Sequence, residues 1–387
     1  MSGAERDAVV VGCVRTPIGR KRGRLSALHA VDVSAIVLRA LAERTGVDPV
    51  LIDDVIWGCV EKVGEQSLNI ARNAVLAAGW PESVPAVTVD RQCGSSQQSV
   101  HFAAAGVISG QYEFAVAGGV EMMSRVPLGA SSGADAGSPR PESVMSRYGV
   151  KRFSQGLGAE LIAQKWGLGR ETLDEYGLQS HMRAAAAIDS GRFAAEIVPV
   201  TLPDGSVLQH DEGVRRDSTA ERMAALPAAF SPSGVITAGT SSQISDGAAA
   251  LLVTTSAAAA RHGLRALARI HTAVLAGDDP VMMLSAPIPA THKALARARL
   301  SMSDIGTAEV NEAFAPVPLA WLAETGADPA VTNPDGGAIA LGHPLGASGA
   351  RLMTTMIHRM RRDGIRFGLQ TMCEGGGLAN ATILELT

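Results

Sequence analysis

Four cysteines, at positions 13, 59, 93 and 373, carry the chain's thiols, and two of them stand where a thiol can react. Cys93 follows a short β-rich run, Ala86 to Val89. After it Val100, Ala103, Ala104, Val107 and Ile108 repeat at helical spacing. That places Cys93 on a strand-to-helix turn, at a helix N-terminus. Unpaired amides and the helix dipole there favour a thiolate, and the same amides can hold a developing oxyanion. Gly94 leaves room for a substrate to approach. Taken alone, the segment equally fits a buried small thiol. Cys13 and Cys59 lie inside apolar strand patterns and read as structural.

Three further segments offer partners for such a thiol. His343 lies in a Gly-rich run from Gly336 to Ala350, before a helix with Leu352, Met353, Met356, Ile357 and Met360 on one face. Arg359, Arg361 and Arg362 suit that helix's C-terminal dipole, and Gly364 can cap it. Cys373 precedes three consecutive glycines, Gly375 to Gly377. Such a run is costly in backbone entropy unless an amide must touch a ligand. Asn311 and Glu312 follow the short strand Ala308–Val310, and strand ends are where α/β folds place sites. Two thiols and an imidazole form a coherent acyl-transfer set: one thiolate attacks, the His takes its proton, and the second thiol moves a proton elsewhere. There is no C-x-x-C pair and no His-rich zinc spacing, so neither a metal site nor a disulfide scaffold is expected.

The elements that must position these groups are legible in outline. Apolar strand runs at 8–14, 54–60, 86–89, 114–119, 247–253 and 369–376 alternate with helical patterns at 31–44, 69–78 and after Cys93 and His343, which argues an α/β architecture. Residues 125–158 and 200–243 are rich in Gly, Ser and Pro with little periodicity. They place an inserted loop domain at about 123–243. An internal echo joins the ends of the chain: strand, reactive residue, helix, strand, Gly-Gly occurs once around Cys93 and again around His343.

Composition narrows the class. The chain has 387 residues, 46% of them hydrophobic, enough for a large core and two or three domains. A net charge of −4 and 4% aromatics give no footprint for nucleic acid. No apolar run is long enough for a membrane span, and the start has no signal-like segment, so a cytoplasmic protein is expected. A basic stretch, Arg140, Arg147, Lys151 and Arg152, and a second basic spot at Arg215 and Arg216, suit an anionic ligand, although no Walker-type loop occurs.

Taken in order, these segments resemble one family over essentially the whole chain. Val14 to Gly19, Gly118 to Ser124, Thr237 to Gly239 with Ser245 to Ala250, Asn311 to Phe314, Gly342 to Gly346 and Cys373 to Gly377 match the thiolases. The resemblance implies a five-layer αβαβα fold with two related halves, 1–122 plus 244–266 and 267–387, and a loop domain at 123–243 covering a coenzyme A site. It implies that Cys93 carries the acyl group and that His343 activates it. Cys373 would serve as acid and base, Asn311 would orient a water in one oxyanion hole, and the amides of Cys93 and Gly375 would form another. Arg215, Ser242, Phe230 and Ala238 would contact coenzyme A or its acyl chain. Coenzyme A and acyl-CoA enter as substrates with no covalently bound cofactor, in a homodimer or homotetramer.

The expected reaction is thiolytic cleavage of 3-oxoacyl-CoA in fatty acid β-oxidation or related lipid metabolism. Thr237 to Ala250 looks like actinobacterial degradative thiolases, some acting on sterol side chains. The alternatives are an acetoacetyl-CoA-specific biosynthetic enzyme and an inactive lipid-binding relative. Against the family pattern stand Asp90 where Asn is common, Gly94-Ser95-Ser96 after the cysteine, Thr240-Ser241, Leu284, Ala286, and Ser154-Gln155 before Gly156. Short-chain specialists carry a bulky Met where Gln155 stands, so a roomier acyl pocket is expected, bounded by Phe230 and Met283.

Overall fold

The computed structural model describes residues 6–133 and 137–387. The opening residues 1–5, part of the start read above as having no signal-like segment, and residues 134–136 of the 125–158 stretch lie outside the described residues.

Nine strands form the backbone of one mixed sheet: β1 Val9–Arg15, β2 Asp54–Gly58, β3 Ala86–Val89, β4 Phe114–Met122, β5 Ser245–Thr254, β6 Ala268–Gly277, β7 Thr307–Val310, β8 Phe367–Glu374 and β9 Leu378–Leu386. The order is β7-β8-β9-β6-β1-β5-β4-β2-β3. Only Val9 and Val10 bridge to Arg269 and Ala268 at the β1–β6 junction, so the path divides there into two sheets. Their pairing senses repeat. In the first, β3–β2 and β2–β4 are parallel, and β4–β5 and β5–β1 antiparallel. In the second, β7–β8 is parallel, β8–β9 and β9–β6 are antiparallel, and a parallel bridge from Ala308 to Thr332 takes the place of β3. The echo read from the sequence is thus a repeat of topology.

Five layers follow from which face each strand residue uses. Val116, Ala248, Ala250 and Leu252 pack under the helices Ala30–Thr45 and Ile70–Ala77. Their neighbours Ala115, Ala117, Ala249, Leu251 and Val253 face a central layer. The alternation puts apolar residues on both faces, which is why these strands read as unbroken apolar runs. The central layer is the pair of helices Ser95–Ser109 and Ser348–Asp363, each with most of its residues buried. On the far side Val274, Val310, Leu369 and Ile383 pack against Pro287–Ala298 and Pro316–Thr325. Small residues let the central helices touch. A side chain on Gly349 would strike the backbone of Gln97, and one on Gly118 would strike that of Ala249.

Element positions match the sequence reading to within three residues, with a larger difference in the inserted segment. The 125–158 stretch is not structureless: Pro141 opens the helix Glu142–Tyr148, Gly149 closes it in the left-handed conformation, and Ser154 caps the helix Gln155–Lys165. Short helices with polar faces leave little periodic signal. Among the described residues no helix is long and apolar enough to cross a membrane.

Candidate active site

The turn that presents Cys93 is built by its polar neighbours. Asp90 Oδ1 accepts from the backbone N–H of Gln92 at 2.8 Å while Asp90 Oδ2 pairs with Lys62 at 2.7 Å. Gln92 is forced to φ +49°, an uncommon conformation for a side-chain-bearing residue. Ser95 Oγ closes the turn, accepting from Arg91 N and donating to Gln92 O. Ser96 Oγ accepts from Ala350 N at 2.9 Å, pinning the start of the Cys93 helix to the helix beyond His343. Asp90, Ser95 and Ser96, which depart from the family pattern, therefore each hold a specific bond.

His343 is held at both ends. Its backbone N–H donates to Gln243 O and Ser245 Oγ, and its Nδ1 lies 2.6 Å from Ser348 Oγ. Ser348 Oγ donates to Pro344 O at 2.8 Å, so toward the imidazole it accepts. Nδ1 therefore carries the proton, and Nε2 presents its lone pair. Asn311 Nδ2 points at that lone pair from 3.4 Å, while Asn311 Oδ1 is buried without a partner. Burial, with Arg351 adding to it, carries the His343 pKa down to about 3, so the ring is a neutral base at physiological pH.

Glu121 joins the two Gly-rich loops. Its carboxylate accepts from Val60 N, Glu61 N, Gln66 Nε2 and Gly346 N, all between 2.8 and 3.1 Å. Gly58, Gly119 and Gly346 meet beside it, and a side chain on any one of them would strike backbone. Glu312 does similar work behind Asn311, accepting from Tyr176, Ser180, Asn333 and Ile339 N.

Cys93, Cys373 and Gly375 converge although they lie far apart in sequence. The backbone N–H groups of Cys93 and Gly375 both reach toward the Cys93 sulfur, and Cys373 lies close enough for charge on Cys93 to raise its pKa. Gly376 and Gly377 take φ of +87° and +79°, which turns the chain so that the Gly375 amide faces inward. The reacting groups are closely covered: Cys93 is 5% exposed, His343 4% and Cys373 0%. This cover corrects the expectation of a resting thiolate at Cys93. Burial pushes its thiol up to about 12, Glu374 adds to that, and the two amides only partly offset it. Cys373 is pushed up as well, first by burial, then by Cys93 and Glu374. Both sulfurs rest as thiols.

The remaining sequence-chosen residues lie around this centre. Phe230 packs edge-on against Phe314 at 5.6 Å, and Ser242 N donates to Ala313 O, so both border the Asn311 segment. Ala238, itself exposed, starts a short turn in the same region whose Gly239 and Thr240 are buried. Arg215 donates its backbone N–H to His181 Nδ1 and leaves its guanidinium exposed, whereas Arg216 is paired with Asp189. Arg140, Lys151 and Arg152 make no ion pair among the described residues, and Arg147 lies over the Tyr148 ring. Among those residues, no three or more His, Cys, Asp or Glu side chains are grouped to hold a metal ion. Cys13 and Cys59 are buried and free, as their apolar settings implied. Ser348, Glu121 and Glu374 escaped the sequence reading. Ser348, five residues after His343 in the same Gly-rich run, carried the one usable signal.

Comparison with known families decides what this arrangement is. The family model described as "Thiolase, N-terminal domain" matches residues 8–257, and "Thiolase, C-terminal domain" matches 264–386. The chain belongs to the thiolase family. It is 52% identical to the steroid 3-ketoacyl-CoA thiolase FadA6 of Mycobacterium tuberculosis, over 98% of this chain and 94% of that protein. It is 46% identical to a 3-ketoacyl-CoA thiolase of Erwinia tasmaniensis, over 97% and 98%. In three dimensions it superimposes on the Bacillus anthracis acetyl-CoA acetyltransferase, with a TM-score of 0.92, 36% identity and full coverage of both chains. The thiolase fold expected from the motifs is therefore the fold observed.

Proposed function

We propose that this thiolase cleaves 3-oxoacyl-CoA with coenzyme A, giving acetyl-CoA and a shortened acyl-CoA through an acyl-Cys93 intermediate. The Cys93 sulfur attacks the 3-keto carbon while its proton passes to His343 Nε2. The bond between C2 and C3 breaks, and the Cys373 thiol gives its proton to C2, releasing acetyl-CoA. Coenzyme A then gives its thiol proton to the Cys373 thiolate and attacks the acyl group. Cys93 leaves and regains its proton from His343. The amides of Cys93 and Gly375 stabilise oxyanion charge at the sulfur's side of the site, and Asn311 orients a water on the His343 side.

The observation that carries this reading is two buried thiols side by side, with two backbone amides aimed at one of them. A neutral imidazole fixed in the base-competent tautomer supports it. We assign residues 1–122 with 244–266 and residues 267–387 as the two halves. Residues 123–243 are the segment that covers coenzyme A, with Arg215, Ser242, Phe230 and Ala238 along its path. The degradative direction is favoured by relatives named 3-ketoacyl-CoA thiolases at 52% and 46% identity, against 36% for the acetyl-CoA acetyltransferase. A cytoplasmic homodimer or homotetramer completes the assignment.

The test is incubation with acyl-CoA in the absence of free coenzyme A, followed by digestion and mass mapping. Acyl mass on Cys93 is expected. Acyl mass on Cys373 with Cys93 unmodified overturns the assignment.

A further inference from the structure

Glu374 is the one ionisable side chain beside both catalytic sulfurs that the reaction above does not use. It lies at the end of β8, between Cys373 and Gly375, and is 0% exposed. Neither of its carboxyl oxygens has a hydrogen-bond partner. Across the sheet, Asn380 Oδ1 is also buried without a partner. Gly94 shows that the two sites are one. A side-chain carbon on Gly94 would collide with Glu374 Oε1 and stand 2.7 Å from Asn380 Oδ1. Two lone-pair oxygens thus share the small space that Gly94 leaves next to Cys93.

Asn380 turns its amide nitrogen away from Glu374. Its Nδ2 faces Gln98 Oε1 at 3.4 Å and His101 Nδ1 at 3.3 Å. His101 Nε2 is 2.7 Å from Thr382 Oγ1, which also accepts from Gln97 Nε2 at 2.7 Å. Burial, then Arg91, lowers the His101 pKa to about 3, so its ring is neutral, and with its one proton on Nε2 the Nδ1 accepts from Asn380. This chain ties the Cys93 helix to β9 of the other half. In this orientation Glu374 can supply the missing donor, and a carboxyl group has one only when protonated. Three unsatisfied buried oxygens are costly, and one O–H from Glu374 to Asn380 Oδ1 engages two of them.

We propose that Glu374 is a positioning residue, held as a neutral carboxylic acid that donates to Asn380 Oδ1. The bond fixes the Cys373–Gly375 turn against Gly94, and neutrality keeps a negative charge away from Cys93. The charged and titratable groups around it are consistent with this. Arg91 is the cation that acts on it; Cys93 and Cys373 are the thiols beside it; Glu121 bears on Cys93 from the other side. Asp90 is already engaged by Lys62. Burial carries the Glu374 pKa up to about 8, with Arg91 and then the backbone N–H of Asn380 opposing, so the acid form persists through neutral pH. Ionised Glu374 would raise both sulfurs and slow the reaction on the alkaline side.

This inference rests on Cys93 as the acylated thiol, but its test does not require turnover. The rate of iodoacetamide alkylation at Cys93, mapped by mass, is followed from pH 6 to 10 in wild type and Glu374→Gln. Gln can still donate to Asn380 but cannot ionise. The rate of a high-pKa thiol climbs with its thiolate fraction. In wild type the climb should flatten near pH 8 as Glu374 gains charge, and in Glu374→Gln it should continue unbroken. A nearby like charge moves a pKa by about 1–3 units, so at pH 9.5 the variant should react roughly tenfold or more faster. The curves should meet below pH 7. Superimposed curves overturn the proposal. So does an unbroken wild-type climb, which needs no variant to fold. Acyl mass on another residue counts against the reaction assignment alone.

Discussion

Ser348→Ala isolates the group that fixes the proton on His343. Ser348 Oγ accepts from Nδ1–H at 2.6 Å and passes its own hydrogen to Pro344 O, and it is 1% exposed, so no water stands ready to replace it. The substitution leaves a buried N–H unpaired in the resting enzyme. It costs more once Nε2 has taken the Cys93 proton, because the bond is then made by an imidazolium and is charge-assisted. An unsatisfied buried donor costs about 1–3 kcal/mol. If most of this falls on the protonated ring, acylation should slow by roughly 10–100-fold, at about tenfold per 1.4 kcal/mol. The alternative tautomer offers no relief, since a proton on Nε2 would face the Asn311 Nδ2 donor and remove the base. The assay is single-turnover acylation of Cys93, with KM for acyl-CoA and proton exchange at C2 of acetyl-CoA measured alongside. A fall in acylation rate with KM and exchange little changed is expected. A rate within twofold of wild type would refute the tautomer argument. A loss confined to KM would show that Ser348 shapes binding instead.

Glu121→Ala should destabilise the protein by at least about 1–3 kcal/mol, the cost of an unsatisfied buried hydrogen-bonding group, because four neutral donors around it lose their acceptor. The denaturation midpoint should fall, and activity with it as the Gly346 loop comes away from Gly58 and Gly119; an unchanged midpoint refutes this account. The acyl pocket should accept chains beyond four carbons, since Gln155 opens a helix beside Phe230, a ring 43% exposed. Two further buried methylenes are worth roughly tenfold in kcat/KM, and a sharp peak at four carbons with collapse at six would return the protein to the acetoacetyl-CoA reading.

Much of the scaffold was legible because its signals are local. Unbroken apolar runs marked strands covered on both faces, and helical periodicity ending at Gly46, Gly110 and Gly364 marked helices closed by left-handed caps. Cys93, His343, Cys373 and Asn311 were recognisable because each sits where an element ends in glycine-rich or polar backbone. The helices inside 125–158 were not, since short polar helices leave no apolar stripe.

The sequence by itself determined which residue types stand at the ends of which elements, and that the same unit occurs twice. Only the tertiary structure decided their chemical states. A helix N-terminus favours a thiolate, yet desolvation under the covering layers outweighs it and leaves Cys93 a thiol. The His343 tautomer follows from Ser348 and Pro344, and the vacant acceptors at Glu374 and Asn380 follow from the absence of a side chain at Gly94. Secondary structure is written in near neighbours along the chain. Protonation depends on burial and on partners such as Asn380, which folding brings to the Cys93 helix from the opposite half of the molecule.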